Sequence, residues 1–103
     1  LGLKNISWLS TPEENIKNKC PFIYTIRVLN GRRNELRTYL SNLAIDTGIH
    51  WQPGHKFKYF QNERKHNLQI TEKISEQILT LPFHTYMEAE DIDYIIKCIK
   101  EFR

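Results

Sequence analysis

The chain has 103 residues, 40% of them hydrophobic and 26% charged, with a formal net charge of +3. That is one domain at most, residues 1–103, of ordinary soluble composition, with a core that is real but thin. The positive surplus is too small and too evenly spread for a nucleic-acid footprint, and no apolar run approaches the ~18 residues of a membrane span.

No charged segment followed by an apolar one marks secretion, so we expect a cytoplasmic protein with neither a membrane nor a nucleic acid as partner. Cys20 and Cys98 lack C-x-x-C spacing, and two reduced thiols are the default expectation. The chain starts at Leu1 and its single methionine is Met87. We therefore expect a trimmed start or a piece of a longer protein.

In chain order, Ile6, Trp8 and Leu9 suit a short edge strand, and the polar residues 11–19 read as loop. Residues 21–29 alternate strongly. Phe22, Tyr24, Ile26 and Val28 share one face, and Ile23, Thr25, Arg27 and Leu29 share the other. Asn30-Gly31 ends this strand. Leu36, Tyr39, Leu40, Leu43 and Ala44 then recur with helical spacing, which predicts a strand-turn-helix unit. Arg32, Arg33 and Arg37 form the tightest basic cluster, and a solvated helix start explains them better than a phosphate site. Asp46–His50 suggests a short strand, relaxed by Gly48.

Residues 51–67 show no sustained period and read as a long loop, a length that compact domains keep for function or disorder. Its second half, 61–67, reads as solvated and mobile. Ile70, Ile74 and Ile78, with Leu79 and Leu81 beside them, predict a second amphipathic helix stopped by Pro82. Leu81–His84 reads as extended. Ile92, Ile95, Ile96, Ile99 and Phe102 form the apolar stripe of a last helix over 88–102. Its acids lie early and its lysines late, as the helix dipole favours. Together these elements predict an α+β fold: a small, few-stranded, mainly antiparallel sheet with three helices packed on it.

The chemistry-bearing residues cluster in Asp46–Phe57, "DTGIHWQPGHKF". Two of the four histidines and one of the two tryptophans lie there. A metal site is not supported. Pro53-Gly54 precludes a helix that would align His50 with His55, and zinc needs three or four ligands. His66, His84 and Cys20 would have to join singly. There is no G-x-S-x-G, no phosphate-cradling glycine loop, and no cysteine in a cationic turn. Glu90, Asp91 and Asp93 stand where a helix start places its acids. Trp51, Phe57, Tyr59 and Phe60 serve equally as a stacking surface for a sugar or base and as packing beneath a loop. No catalytic residue and no metal ligand is assigned.

Three segments in order give a more specific indication: "YTIRVLNGRRNELRTYLSNLAIDTGIHWQPGH", "ITEKISEQILTLPFH" and "EDIDYIIKCIKEF". Across residues 21–103 they resemble the C-terminal small domain of the DegT/DnrJ/StrS family, pyridoxal-phosphate-dependent aminotransferases acting on nucleotide-linked keto-sugars. Arg27-Val28, Arg33-Asn-Glu-Leu36, Asp46–His55, Leu81-Pro-Phe-His84 and Glu90-Asp-Ile92 stand in the places of that family's motifs. Trp51 replaces the usual tyrosine, Gly54 the common leucine, and Ala44-Ile45 the usual Gly-Ile. The proline customary near Gln69 is missing.

The resemblance implies a fold like the C-terminal domain of fold-type I aminotransferases and a role in polysaccharide biosynthesis. It also implies that the large domain, which carries the Schiff-base lysine and the phosphate-binding turn, is absent here. This chain alone is then expected to be inactive and to hold no cofactor, with pyridoxal phosphate belonging to the full-length parent. The implied partners are that large domain, a second subunit in a homodimer, and the nucleotide-sugar substrate. His50, Trp51, Gln52, Pro53 and His55 would line the small-domain wall of the substrate pocket, in a binding role. The alternative is a free-standing small binding or interaction module without catalytic activity.

Overall fold

The strongest alternating stretch forms the middle of the sheet. The computed structural model describes residues 2–12, 18–60 and 67–103. In it, β2 (Tyr24–Val28) lies between β1 (Leu9–Ser10) and β3 (Ile78–Leu81). Both pairings are antiparallel. Leu9 stands opposite Val28, and Tyr24, Thr25, Ile26 and Arg27 stand opposite Leu81, Thr80, Leu79 and Ile78. The period-two expectation holds where it matters: Ile26 and Val28 are fully buried. Their neighbours Thr25 and Arg27 make polar pairs instead. The Thr25 and Thr80 hydroxyls are 3.1 Å apart, and Arg27 donates from Nε and Nη2 to Oε1 of Gln77 at 3.1 and 2.7 Å.

After β2 the chain turns at Gly31, whose φ of +74° suits a residue without a Cβ. The Asn30 side chain accepts from the Arg32 amide at 3.2 Å, and α1 (Arg33–Asn42) follows. Leu36 and Leu40 are the residues that α1 buries, four apart on one face as the spacing predicts. The helix ends as the Leu43 and Ile45 amides both donate to the Leu40 carbonyl. Ala44, between them, takes a φ of +62°.

The last helix, α3 (Ala89–Glu101), begins with a capping box in which the Glu88 amide donates to the Asp91 carboxylate at 3.0 Å. Asp91 therefore has a structural task. Ile95, Cys98, Ile99 and Phe102 are buried, whereas Ile92 is about half-exposed at the start of the stripe. Phe102 joins three parts of the chain. Trp8 meets its ring edge-on at 5.7 Å, Tyr39 of α1 lies at 5.2 Å, and the Arg32 guanidinium sits 4.6 Å over it. That last contact is a cation–π pair. It corrects the expectation of a merely solvated arginine cluster.

Two further expectations change. The second helix, α2, covers only Gln69–Ser75 and buries no residue. Ile78, Leu79 and Leu81 form β3 instead. The four-residue spacing from Ile70 to Ile78 is helical in form, but Ile70 is among the most exposed apolar residues while Leu79 is fully buried. Pairing with β2 places Leu79 and Leu81 in the core, where continued helix would have turned part of the run outward. The second change concerns Asp46–His50, which pairs only at Gly48, through a single antiparallel bridge to Thr80.

The α+β class stands: among the described residues, three helices accompany a three-stranded antiparallel sheet. No helix among them is long and apolar enough to cross a membrane. Most of segment 61–67 lies outside the described residues.

Candidate functional site

The histidine-bearing loop is pinned where it leaves the sheet. The Gly48 amide donates to the Thr80 carbonyl at 3.0 Å, and the Gly48 carbonyl accepts from the Thr80 amide at 2.7 Å. Two residues later the His50 imidazole lies against Gly48. A Cβ on Gly48 would stand 2.5 Å from Cε1 of that ring, closer than real atoms approach. The ring's Nδ1 is buried and has no hydrogen-bond partner among the described residues.

Trp51 meets His50 edge-on, with ring centroids 5.4 Å apart. It also meets Phe22, at 6.3 Å and a 36° tilt. Both aromatics face solvent, Trp51 being 62% and Phe22 72% exposed. Two touching rings left that open form a flat apolar surface suited to a covering ligand or partner. Phe22 was not assigned to the site from sequence. In the sequence it only shares a strand face with Tyr24, Ile26 and Val28, and the fold brings it to Trp51.

Gln52 is exposed and Pro53 half-buried. The Pro53 carbonyl accepts from the Lys56 amide at 3.0 Å, opening a short 3-10 turn over Gly54–Lys56. A second such turn, Lys58–Phe60, follows, so the segment is less irregular than its composition suggests.

His55 is committed elsewhere. Its Nε2 donates to the Glu72 carboxylate of α2 at 3.0 Å. That hydrogen bond, helped by the charge of Lys56, holds the Glu72 carboxyl below its ordinary pKa. No hydrogen bond or ring contact among the described residues joins His55 to His50 or Trp51. The structure thus brings His50 and Trp51 together with Phe22 and ties His55 to Glu72 of α2.

The neighbouring motifs have structural tasks. Arg33 donates from Nη1 to the carbonyls of Ser75 and Ile78, at 3.1 and 3.0 Å, bridging the end of α2 to the start of β3. Burial, with the nearby charge of Arg37, lowers its pKa from the ordinary arginine value, an effect that leaves a guanidinium charged at neutral pH. Residues of Leu81-Pro-Phe-His84 help line an apolar pocket of about 270 Å³, with Leu3, Met87 and Ile92 among its other walls. Nothing in composition or periodicity marks this pocket, because its walls come from both ends of the chain.

Among the described residues, no group of three histidine, cysteine or acidic side chains gathers as a metal site, and His66 lies outside them. Cys20 is an exposed free thiol and Cys98 a buried one. Every lysine among the described residues is exposed. An amine that condenses with an aldehyde must be partly neutral, through burial or a neighbouring charge. The exposed lysines lack such burial.

Comparison with known proteins agrees with this architecture. The model of the DegT/DnrJ/EryC1/StrS aminotransferase family matches residues 2–100. A curated relative, the dTDP-3-amino-3,6-dideoxy-alpha-D-galactopyranose transaminase of Aneurinibacillus thermoaerophilus, is 25% identical over 103 residues. That match covers 86% of this chain and 28% of the relative. Among solved structures, DesV of S. venezuelae is 26% identical with a TM-score of 0.81, covering 97% of this chain and 28% of its own. A putative sugar aminotransferase of Streptococcus pneumoniae in its PLP form shares the fold, with a TM-score of 0.82 at 24% identity over 96% of this chain and 27% of its own. The chain therefore spans little more than a quarter of the length of these proteins, and it belongs to the DegT/DnrJ/EryC1/StrS aminotransferase family.

Proposed function

We propose that this chain is the C-terminal small domain of a pyridoxal-phosphate-dependent enzyme that transfers an amino group to a nucleotide-linked keto-sugar. The observation that carries this is the coverage. Nearly all of this chain aligns with DesV and with the putative sugar aminotransferase of Streptococcus pneumoniae, yet it fills only 28% and 27% of them. In this reading His50, Trp51, Gln52 and Pro53 form the small-domain wall of the sugar-nucleotide pocket. His55 belongs to the same wall and is held in place by Glu72. The open ring pair of Trp51 and Phe22 offers apolar faces to a sugar or base, and the loop amides and imidazole offer hydrogen bonds to hydroxyls or phosphate.

When bound, the family's cofactor supplies the amine-carrying chemistry. The described residues of this chain do not fit it, since their lysines are all exposed, and no step of the reaction is assigned to them. The large domain would supply that chemistry. A homodimer, a cytoplasmic location and a place in polysaccharide biosynthesis belong to the same proposal.

The test is to express the reading frame as it continues upstream of Leu1. The longer protein is expected to transaminate a nucleotide-linked keto-sugar, while the 103-residue chain mixed with pyridoxal phosphate forms no covalent lysine adduct. A start codon immediately before Leu1, or a stable adduct on this chain, would overturn the proposal in favour of a self-contained module.

A further inference from the structure

We infer that Gly48 is a positioning residue that sets the orientation and tautomer of His50, so that the imidazole presents Nε2–H as a donor to an oxygen of the bound ligand. The ligand part of this rests on the proposed pocket; the positioning does not. Three observations converge. First, the backbone conformation at Gly48 lies outside the left-handed region, so backbone geometry there does not demand glycine. What demands it is the ring. A Cβ would meet Cε1 at 2.5 Å, Nδ1 at 3.1 Å and Nε2 at 3.2 Å.

Second, Gly48 is held on both its polar groups by Thr80, at 3.0 and 2.7 Å, and Thr80 is buried on the central strand pair. The surface against which the imidazole lies is therefore fixed to the sheet. Third, Nδ1 is buried without a partner among the described residues. A neutral imidazole carries one N–H and one bare nitrogen. A buried donor left unpaired is the rarer and costlier defect, so the bare lone pair belongs on Nδ1 and the proton on Nε2. A donor at Nε2 suits an oxygen acceptor, such as a phosphate or a sugar hydroxyl. Trp51, edge-on to the same ring, restricts its rotation from the adjacent position.

The experiment uses the whole 103-residue chain, labelled with ¹⁵N in its histidines, and reads tautomers from long-range ¹H–¹⁵N correlations at a pH where the rings are neutral. His50 is expected to show a single tautomer protonated at Nε2. Gly48→Ala is expected to lose that signature and to lower the thermal midpoint. Gly54→Ala makes the same change where nothing lies within 4 Å of the added Cβ, and should leave the His50 signals in place.

Should Gly48→Ala fail to fold, Gly48→Ala/His50→Ala decides: removing the ring removes the clash and is expected to restore at least half of the lost midpoint. An Nδ1-protonated His50, or a double variant no better than Gly48→Ala, would overturn the inference. The pocket reading is read out separately, by titrating UDP and dTDP into the longer protein with His50→Gln, which keeps a donor near the Nε2 position, and with His50→Ala. Binding that survives in His50→Gln and weakens about tenfold in His50→Ala supports the donor role. Equal binding in both removes the ligand from the account and leaves the tautomer result standing.

Discussion

Glu72 accepts a hydrogen bond from His55 Nε2 at 3.0 Å, and this bond links the 3-10 turn after Pro53 to α2. The partners are seventeen residues apart in sequence, with residues 61–66, outside the described set, between them. Its physical role is to fix the far end of the loop whose near end Thr80 holds at Gly48.

The pair makes the loop sensitive to acid. The Glu72 pKa lies below its ordinary value of 4.5, chiefly through the His55 hydrogen bond. The folded form therefore favours the carboxylate. That contribution is fully present above 4.5 and is lost as the pH falls through the lower folded value. Amide exchange in residues 54–60 is expected to hold its protection from neutral pH down to 4.5 and to lose it as the pH falls through the lower folded value. In Glu72→Gln the acid-dependent loss should vanish. Protection that declines in parallel in both proteins contradicts the role given to this pair.

Arg33 spans the junction between α2 and β3 with two bonds to backbone carbonyls. Hydrogen bonds to charged groups contribute about 1.5–3 kcal/mol. Arg33→Ala is expected to cost about 2 kcal/mol in urea unfolding, against less than about 0.5 kcal/mol for the exposed Arg37 changed likewise. Equal effects at the two positions would return the whole cluster to a solvated helix start.

Ala44 occupies a left-handed conformation, φ +62°, directly after the last residues of α1. A side chain there costs about 1–2 kcal/mol, and glycine gives back about 0.5–1 kcal/mol through its freer unfolded chain. Ala44→Gly is therefore expected to raise stability by about 0.5 kcal/mol. A clear loss of stability in the same urea titration would show that the methyl group packs in a way that outweighs the strain.

Phe102 is the common contact of Trp8, Tyr39 and Arg32. Truncating a buried phenylalanine costs about 3–5 kcal/mol. Phe102→Ala is expected to lose that much, and to shift the emission of Trp8 to the red as its ring becomes wet. Unchanged Trp8 emission would separate the N-terminal segment from this hub.

Much of the fold is legible in the sequence because it follows from local periodicity. Ile26 and Val28 share a strand face, Leu36 and Leu40 a helix face, and Ile95, Ile99 and Phe102 a helical stripe that ends in the core. The misassigned segment shows the limit of periodicity. Ile70, Ile74 and Ile78 keep a helical spacing, but the register that joins Ile78–Leu81 to Tyr24–Arg27 is a long-range fact. The same holds for the site. Pro53-Gly54 and the paired histidines mark the loop in sequence. The partners that give it shape, Phe22 for Trp51, Glu72 for His55 and Thr80 for Gly48, come from distant positions. Gly48 itself looks like a flexible link until the ring of His50 is seen to fill the space where its side chain would be.

The proposed function has this chain shape a sugar-nucleotide pocket and leave the amine chemistry to another domain. Its most direct test is steady-state kinetics of the longer protein carrying Trp51→Ala, with the nucleotide-sugar and the amino donor varied separately. The KM for the nucleotide-sugar is expected to rise by about tenfold or more, with the KM for the amino donor and kcat much less affected. An unchanged KM for the nucleotide-sugar, or a loss confined to kcat, would contradict it.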